Sequence, residues 1–346
     1  FQRLLSPEER HRFGQHYTVP ELVDLLVGAA VRERDQTVFD PASGGGTFLV
    51  RAYERLRHLG ESDHLVLLSQ VYGNDISPFA THLSTINLAV RRIEREQNYP
   101  RVGTHDFFRL EPGDPLVSLP LGPGGEQKEV RLPDSFDAVV GNPPYVRVQD
   151  IDSNQLARAK QAAELYPGVQ IHGLSDLHVY FWPHAARFLE EGGYLAFLTS
   201  SYWLQTKYGQ RLKAMLLRDF DIVFLAETDV EPWFTGARVR TVACVARKRP
   251  AGTNVSDNHE VKFCLFRRPL LELLGPASAM DRWQRVEDLL SRMEQPQSNE
   301  EMRVRAVRQK ELAPEDDWSI PLRAPDIFDD FISMVGVTSV ASEKPQ

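Results

Sequence analysis

The sequence predicts an α/β fold in which helices cover both faces of a mainly parallel sheet. Apolar, strand-like segments alternate with amphipathic helical segments from residue 37 to residue 248. A glycine-rich turn follows the first of these strands, and polar residues stand where the next strands end. This alternation is typical of parallel strands, and it places a ligand beyond their carboxyl ends.

The first half of the chain supplies most of the predicted sheet. The amphipathic stretch 19–31 predicts a helix, with Thr18 as its N-cap and Glu21 at the capping-box spacing. A strand at 37–40, a helix at 48–59 and a strand at 71–76 follow. Ser77 and Pro78 then mark the start of another helix. Further strands are predicted at 101–104 and 136–140, around a Pro-, Gly- and acid-rich loop or hairpin at 111–134.

The second half continues the alternation and then loses it. A helix at 176–190 is expected to end at Gly192-Gly193, before a strand at 194–199. A helix at 204–218, a strand at 221–226 and a late β element at 239–248 complete this part. Beyond Pro250 we expect a linker at 251–259, a strand at 261–266 and a helix at 282–293. We therefore divide the chain into residues 1–250 and a C-terminal extension or connector, 251–346.

Composition describes an ordinary globular protein of the reducing cytoplasm. The 346 residues are 42% hydrophobic and 25% charged, and no apolar run is long enough to cross a membrane. The two cysteines, Cys244 and Cys264, form no CxxC pair, which argues against a zinc site or a disulfide framework. The net charge of −8 is unusual for a free-standing DNA-binding protein, although it does not exclude a local basic cleft.

The turn after the first strand is the candidate cofactor site. Asp40 is followed by Pro41-Ala42-Ser43-Gly44-Gly45-Gly46-Thr47-Phe48, whose glycines allow a ligand to approach the backbone closely. The dinucleotide motif GxGxxG fails at Leu49, and a phosphate-binding GxxxxGK[ST] loop is absent. A cofactor without phosphate, such as S-adenosylmethionine, suits this turn better. The alternative is a tight turn that binds nothing.

Acidic residues that follow the next two strands are candidates for binding an adenosine. Asp75 ends the second strand and could accept hydrogen bonds from both ribose hydroxyls. Its alternative role is helix capping, for which Ser77 is better placed. Asp106 follows the third strand and could accept a hydrogen bond from the adenine amino group, with Phe107 against the ring face. For Asp106 and Phe107 a purely structural role is almost equally well supported.

The fourth strand ends in the candidate catalytic motif, Gly141-Asn142-Pro143-Pro144-Tyr145. Two prolines cannot continue a central strand, so the chain must make a rigid turn whose carbonyls are free to accept. The Asn142 side-chain oxygen and the Pro143 carbonyl could hold both hydrogens of an exocyclic amino group. The nitrogen lone pair would then point at a methyl group for in-line displacement, without a covalent intermediate. The alternative is a rigid surface turn.

Together these motifs resemble the amino-group DNA methyltransferases that carry Asn-Pro-Pro-Tyr, in the γ order. The resemblance covers residues 15–248 and adds Tyr17 and Thr18, from the segment Gly14–Thr18, as cofactor-binding residues. Gly45 and Val19 depart from the usual family pattern without threatening it. The resemblance implies a Rossmann-like class I S-adenosylmethionine-dependent fold with a seven-stranded sheet. The implied cofactor-binding residues are Tyr17, Thr18, Asp40, Pro41, Ala42, Gly44, Gly46, Thr47, Phe48, Asp75, Ile76, Asp106 and Phe107.

The same resemblance implies methylation at N6 of an adenine flipped out of double-stranded DNA, in a prokaryotic cytoplasm and near the nucleoid. Asn142, Pro143, Pro144 and Tyr145 would be catalytic, with Tyr145 stacked on the base. Trp233 or Phe234 could form a second aromatic wall, although a core aromatic is an equally good interpretation. No metal is implied.

The segment 318–325 resembles the connector of single-chain restriction–modification and phage-defence methyltransferases. We therefore expect a target recognition domain or subunit that this chain lacks. Alternatives are a related methyltransferase of RNA or of a protein glutamine, and a non-catalytic scaffold that binds cofactor or DNA.

Overall fold

The computed structural model describes residues 18–95, 98–120, 126–171, 175–233 and 240–327. The strands are β1 Val38–Asp40, β2 Val71–Asp75, β3 Arg101–Thr104, β4 Pro115–Pro120, β5 Gln127–Arg131, β6 Phe136–Gly141, β7 Leu189–Ser200, β8 Phe220–Thr228, β9 Thr241–Lys248, β10 Glu260–Phe266, β11 Gln297–Ser298 and β12 Met302–Arg308. The helices are α1 Pro20–Ala30, α2 Thr47–His58, α3 His64–Gln70, α4 Pro78–Ala89, α5 Ser153–Glu164, α6 Leu177–Arg187, α7 Gly209–Asp219, α8 Leu270–Leu274, α9 Arg282–Met293 and α10 Ile320–Arg323.

One large sheet has the strand order β11-β12-β10-β8-β9-β7-β6-β1-β2-β3. The strands from β3 to β7 pair in parallel, and β9 is antiparallel between β7 and β8. The predicted α/β class is therefore confirmed. The carboxyl ends of β1, β2, β3, β6, β7 and β8 all meet at one edge, called the catalytic edge below.

The predicted number of seven strands is wrong, because the sheet continues beyond β8. Strand β10 pairs in parallel with β8, and β12 and β11 add two antiparallel strands. The sheet thus crosses the division that we placed at residue 250. The alternation of arginines with apolar residues in β12 is a strand signal that our sequence-based prediction did not use.

Two hydrophobic layers cover the two faces of the sheet. Val38 faces a layer built with α1, α2 and α9, whereas its neighbour Phe39 faces a layer built with α5, α6 and α7. Adjacent residues of a strand point to opposite faces, so both sides of β1 are buried. The helices on both faces hold the tips of the central strands in fixed positions.

Several predicted element ends are corrected by the structure. The N-cap of α1 is Val19, without a side-chain capping bond, so the capping box at Thr18 is wrong. Gly192-Gly193 does not end a helix, because α6 stops at Arg187 and β7 already includes both glycines. The predicted helix at 204–218 begins only at Gly209, after a short 3-10 turn. Tertiary pairing extends β7 through a pair of glycines that sequence alone assigns to a break.

Other predicted features are confirmed. Ser77 caps α4, its side chain accepting from the backbone N–H of Ala80, and Pro78 occupies the first turn. The helix α9 has the predicted bounds, and the 111–134 region contains the hairpin β4–β5. In the described part of the chain, no helix has both the length and the apolar character to span a membrane.

The helix α9 is locked to α1 by buried charges. The Arg282 side chain, 1% exposed, donates from Nε to Asp24 Oδ2 at 2.7 Å. Asp24 is fully buried and also pairs with Arg51 of α2. The Trp283 ring lies under the Arg51 guanidinium at 5.1 Å. The C-terminal region is therefore part of the same packed unit as the first two helices.

The segment 318–325 is fixed along the catalytic edge. Trp318 is buried and donates from its backbone N–H to the Leu204 carbonyl at 3.1 Å. Arg323 forms a two-pronged ion pair with the buried Glu227 at the tip of β8, and it donates to Ser201 Oγ at 2.9 Å. This connector therefore lies beside the strand tips.

Candidate cofactor and catalytic site

The tips of β1 and β6 meet at the centre of the catalytic edge. These strands pair in parallel, so Asp40 at the end of β1 lies beside Gly141 at the end of β6. A Cβ atom built on Gly141 would stand 2.9 Å from Asp40 Oδ1. A side chain at this position would displace the Asp40 carboxylate, so the cofactor turn and the catalytic motif are in direct contact.

Asp40 is a buried acid with one unsatisfied oxygen. The side chain is 1% exposed, and Oδ1 accepts from the Ala42 backbone N–H at 3.1 Å. Oδ2 is buried and has no hydrogen-bond partner among the described residues. Burial raises the pKa of Asp40 well above its usual range, and the nearby Asp75 carboxylate raises it further. A buried carboxylate oxygen without a donor fits a cationic or N–H-bearing ligand group.

Side chains of α4 bind the carbonyls of the glycine turn, whereas the space over Gly44 is open. Ser84 Oγ donates to the Gly44 carbonyl and Asn87 Nδ2 to the Gly45 carbonyl, both at 2.8 Å. Gly44 has φ +53°, and no atom lies within 4 Å of the place where its Cβ would stand. Gly46 has φ +79°, but its Cβ would lie 2.9 Å from the Ser84 backbone. The turn therefore presents free space over Gly44, as a bound cofactor requires.

Two of these supporting residues, Ser84 and Asn87 of α4, were missed by the sequence analysis. Of the predicted residues here, the Pro41 carbonyl accepts from Asn74 Nδ2 at 3.2 Å. Ala42 and Thr47 are half-buried, and Thr47 begins α2. Phe48 is 4% exposed and packs in the core, so it supports the turn from within.

Asp75 accepts hydrogen bonds with both carboxylate oxygens. Oδ2 accepts from the Gly44 backbone N–H and Oδ1 from the Ser77 N–H, each at 2.9 Å. Burial raises the pKa of Asp75. Asp75 thus joins the tip of β2 to the glycine turn, and the Ile76 side chain beside it is 52% exposed. An exposed apolar residue next to a buried carboxylate fits the ribose and base of an adenosine.

Asn74, which the sequence analysis did not single out, joins three segments. Its Nδ2 donates to the carbonyls of Pro41 and His105, and its Oδ1 accepts from the His105 N–H at 3.1 Å. The side chain is fully buried. An asparagine one residue before the end of a buried strand is the signal that could have revealed it.

Asp106 and Phe107 have partners within the protein. Asp106 Oδ2 accepts from Arg158 Nε at 2.9 Å, and Oδ1 accepts from the Phe108 backbone N–H at 3.2 Å. Phe107 is 4% exposed, and its ring stacks on Phe181 with centroids 5.1 Å apart. The structure therefore places Phe107 in the core, where its face is covered, and not at an open adenine site.

The catalytic motif forms the predicted rigid corner. Asn142 Nδ2 donates to Thr18 Oγ1 at 3.0 Å, whereas Asn142 Oδ1 is buried and has no partner among the described residues. Pro143 is buried, and Pro144 is half-buried. A buried amide oxygen without a donor is a costly arrangement unless a ligand supplies one.

Tyr145 is held by its hydroxyl group and by a contact of its ring. Its O–H donates to the Leu198 carbonyl of β7 at 2.9 Å, and burial raises its pKa well above the usual range. The ring is nearly perpendicular to the His178 imidazole, with centroids 5.8 Å apart and planes at 84°. His178 is fully buried on α6, and burial lowers its pKa to about 3. The neutral imidazole therefore supports the Tyr145 ring from the side.

The other proposed aromatic wall is not found at Trp233. This residue is 2% exposed and packs against Phe266, with ring centroids 6.3 Å apart. The structure thus favours the core interpretation for Trp233. Phe234 and Tyr17 lie outside the described residues. At the catalytic edge, Tyr202 after β7 and Val230 after β8 are 50% and 47% exposed, and neither was singled out from the sequence.

The strand order, the acidic tips and the Asn-Pro-Pro-Tyr corner define the site, and comparison with known proteins agrees with it. Residues 69–234 match the Eco57I restriction-modification methylase family. The matched segment includes Asp75, Asp106 and the whole catalytic motif. The resemblance predicted from the sequence is confirmed.

Curated relatives are methyltransferases of restriction–modification and related types. The chain is 28% identical over 225 residues to the Type II methyltransferase M.XhoI of Xanthomonas vasicola, covering 64% of this chain and 39% of that protein. It is 27% identical over 240 residues to the adenine-specific methyltransferase PglX of Streptomyces coelicolor, covering 55% of this chain and 19% of PglX. The chain thus spans about two fifths of the length of M.XhoI.

Solved structures share the fold. The type IIG restriction endonuclease BpuSI superposes with a TM-score of 0.65 at 17% identity, covering 92% of this chain and 34% of that one. A modification subunit of a type I restriction enzyme from Vibrio vulnificus gives a TM-score of 0.57 at 17% identity, covering 85% of this chain and 55% of that one. A class I S-adenosylmethionine-dependent methyltransferase from Listeria monocytogenes gives 0.51 at 16% identity, covering 79% and 68%. The fold is that of the class I methyltransferases.

Proposed function

We propose that this protein transfers a methyl group from S-adenosylmethionine to N6 of an adenine in double-stranded DNA. One observation carries the proposal. The buried Asn142 Oδ1, an acceptor without a donor, stands on a rigid corner directly beside the cofactor turn. An exocyclic amino group supplies the missing donor, and a methyl donor in the adjacent turn supplies the reaction.

The residues of the turn fit S-adenosylmethionine. Asp40 Oδ2 would accept from a donor of the methionine end, close to the space over Gly44. Asp75 would accept from the ribose hydroxyls, and Ile76 would pack against the adenine. Asp106 would meet the adenine amino group while remaining paired with Arg158. The cofactor supplies an activated methyl group, and the protein fixes its position.

The catalytic corner would hold the target nitrogen without a general base. The Asn142 amide oxygen and the Pro143 carbonyl would accept the two amino hydrogens, which favours a more tetrahedral nitrogen with its lone pair towards the methyl group. Holding two reactants in this geometry is a major source of rate enhancement. The proton leaves after transfer, because the methylated nitrogen is then strongly acidic.

Tyr145 would stack on the flipped adenine. Its anchored hydroxyl and the His178 contact keep the ring from rotating when no base is present. A base must leave the duplex to reach this corner, at a cost of a few kcal/mol that stacking partly offsets. Tyr202 is a further exposed aromatic residue at this edge and a candidate for the second wall that Trp233 does not provide.

The biological setting is proposed to be restriction–modification or phage defence. The match to restriction-modification methylases and to PglX supports this setting. A target recognition domain or subunit would supply sequence selection. The connector lies along the catalytic edge, held by the Arg323–Glu227 ion pair, which suits a recognition unit that presents DNA to the strand tips.

The function is tested by methyl transfer to defined acceptors. Full-length protein is incubated with cofactor labelled in its methyl group, and label is counted in duplex DNA, RNA and protein. We expect label in duplex DNA as N6-methyladenine, and at least about a hundredfold slower labelling with Asn142→Ala. Label in RNA or in protein glutamine would support the related methyltransferases instead. Cofactor binding without transfer to any acceptor would support a scaffold.

A further inference from the structure

A hydrogen bond connects Asn142 of the catalytic corner with Thr18, which lies two residues before α1. Asn142 Nδ2 donates to Thr18 Oγ1 at 3.0 Å, across 124 positions of sequence. Thr18 is 6% exposed, so water competes little for this bond. The bond fixes the plane of the Asn142 amide, which otherwise rotates about its terminal torsion.

The Thr18 hydroxyl has no role in capping the helix that follows it. Val19 is the N-cap of α1, and no side chain caps that helix. The helix itself is firmly docked, because Asp24 pairs with both Arg51 and Arg282. Thr18 therefore lies two residues before a firmly docked helix, and its hydroxyl accepts from the Asn142 amide.

We propose that Thr18 is a positioning residue for the catalytic amide. Its hydroxyl oxygen accepts from Asn142 Nδ2, so that Oδ1 stays directed at the amino group of the target base. The inference rests on the proposed function and assigns the Thr18 hydroxyl a role at the base in place of the cofactor contact expected from the sequence.

The isosteric change Thr18→Val tests this role, because valine has the shape of threonine but no acceptor. We expect turnover at saturating cofactor to fall by roughly tenfold to a hundredfold, the scale of a misplaced catalytic group. Cofactor affinity, measured by calorimetry, should change less than about twofold, since the lost bond lies on the side of the base that accepts the methyl group. Thr18→Ser restores the hydroxyl and should recover most of the turnover.

A binding measurement separates positioning from general damage. Duplexes carry the recognition sequence, found by mapping N6-methyladenine in cells that express the full-length protein, with either adenine or purine at the target. Purine lacks the amino group. The cost of opening each duplex is the same for every protein variant, so a change in the adenine-to-purine affinity ratio reports the amino-group contact. We expect the ratio to fall about tenfold in T18V, the scale of a lost hydrogen bond.

Two controls sharpen the comparison. Thr253→Val makes the same change at an exposed turn on the opposite edge of the sheet and should leave turnover and the ratio unchanged. In an Asn142→Ala background, T18V should have no further effect. If T18V does not fold, Thr18→Ala takes its place in every comparison.

Several outcomes overturn the inference. Wild-type turnover in T18V would do so, as would a fall in cofactor affinity with turnover unchanged at saturation, because Thr18 would then act on the cofactor. An unchanged adenine-to-purine ratio, or additive losses with N142A, would do so as well. By contrast, if the wild-type protein methylates no adenine in DNA, the proposed function itself is contradicted, whatever the Thr18 variants do.

Discussion

At the scale of single residues, the site is defined by acceptors that the folded protein leaves without donors. Asp40 Oδ2 and Asn142 Oδ1 are both buried and unpaired among the described residues, and the strands that carry them are adjacent. Each would destabilise the fold by about 1–3 kcal/mol if it stayed unpaired. A ligand with an N–H group at each place removes both penalties, which is the physical reason for placing cofactor and base here.

Replacing Asn142 by alanine should separate chemistry from cofactor binding. We expect turnover to fall by about a hundredfold to a thousandfold, the usual effect of removing one group that stabilises a transition state. Cofactor affinity should stay nearly constant, because Asn142 contacts Thr18 and is proposed to contact the target base, not the cofactor. Single-turnover kinetics and calorimetry measure the two quantities. Asn254→Ala, at an exposed turn position, is the matched control, and equal loss of turnover and cofactor affinity in N142A would contradict the assignment.

Replacing Asp40 by asparagine should weaken cofactor binding without harming the fold. Asp40 is buried close to Asp75, and its pKa is raised by that burial, so removing its charge relieves an unfavourable state of the free protein. We expect an unchanged or higher melting temperature and a cofactor affinity at least about tenfold lower, from loss of a charged hydrogen bond.

The same carboxyl group predicts a pH dependence of cofactor binding. A raised pKa means that Asp40 takes up a proton at a higher pH than an ordinary aspartate, and the neutral acid no longer attracts a cationic amino group. Affinity should therefore fall as the pH decreases through that raised pKa. D40N should show a smaller dependence. Affinity that rises on acidification in the wild type would contradict the proposed contact.

At the scale of elements, the strands and helices that carry the site could be predicted from the sequence. The prediction failed where contacts between residues distant in sequence determine the extent of a strand or the role of a side chain. Periodicity located α9, β3 and the Asn-Pro-Pro-Tyr corner, because each has a strong local signal. It could not show that β7 runs through Gly192-Gly193, since Leu189 and Tyr194, on either side of these glycines, pair with β6 only in the folded sheet. The roles of Ser84 and Asn74 were missed for the same reason, because their partners are distant in sequence.

The glycine turn gives a matched set of substitutions. Gly44→Ala, Gly46→Ala and Gly252→Ala all place alanine at positive φ, which costs about 1–2 kcal/mol in each case. Only at Gly46 would the new Cβ also meet backbone, that of Ser84, so G46A should lose the most stability in chemical unfolding. G44A should lose cofactor affinity instead, because its Cβ enters the open space. Equal stability losses at all three positions would contradict this description of the turn.

At the scale of the whole molecule, the C-terminal region completes the methyltransferase sheet. Strand β10 covers the edge of β8, and α9 neutralises the buried Asp24 through Arg282. A division was predicted at residue 250 because the hydrophobic periodicity of the sequence weakens there. Pairing between β8 and β10 joins residues on both sides of that division, and local patterns do not report such contacts.

A chain ending at Pro250 should therefore fail to fold as a stable unit. The truncation would expose the edge of β8 and leave Asp24 paired with Arg51 alone. Losing one partner of a buried ion pair typically lowers the free energy of unfolding by about 3–5 kcal/mol. The whole chain should unfold in one cooperative transition followed by circular dichroism. A truncated chain with the same melting temperature as the whole chain would show that residues 1–250 are an independent domain.

Two buried histidines should make the fold sensitive to acid. Burial lowers the pKa of His178 to about 3 and that of His184 to about 4, whereas the unfolded chain takes up these protons near pH 6.5. Stability is therefore lost as the pH falls below about 6.5, by up to about 1.4 kcal/mol per pH unit for each histidine. The raised pKa values of Asp40 and Asp75 act in the opposite direction.

A variant isolates this contribution. His178→Leu should show a weaker loss of unfolding free energy between pH 6.5 and pH 5 in denaturant titrations, because the unfolded state then binds one proton fewer. His82→Leu, the same change at an exposed position, is the matched control. An H178L protein as acid-sensitive as the wild type would show that His178 is not buried in its neutral form.

The central claim is most directly tested by a crystal structure of the full-length protein with an unreactive cofactor analogue and a duplex that carries its recognition sequence. We predict that Asn142 Oδ1 and the Pro143 carbonyl each lie about 3 Å from the adenine N6, with that nitrogen in line with the methyl-bearing position. Tyr145 should stack on the base. An adenine bound elsewhere, or an Asn142 oxygen turned away from N6, would contradict the account.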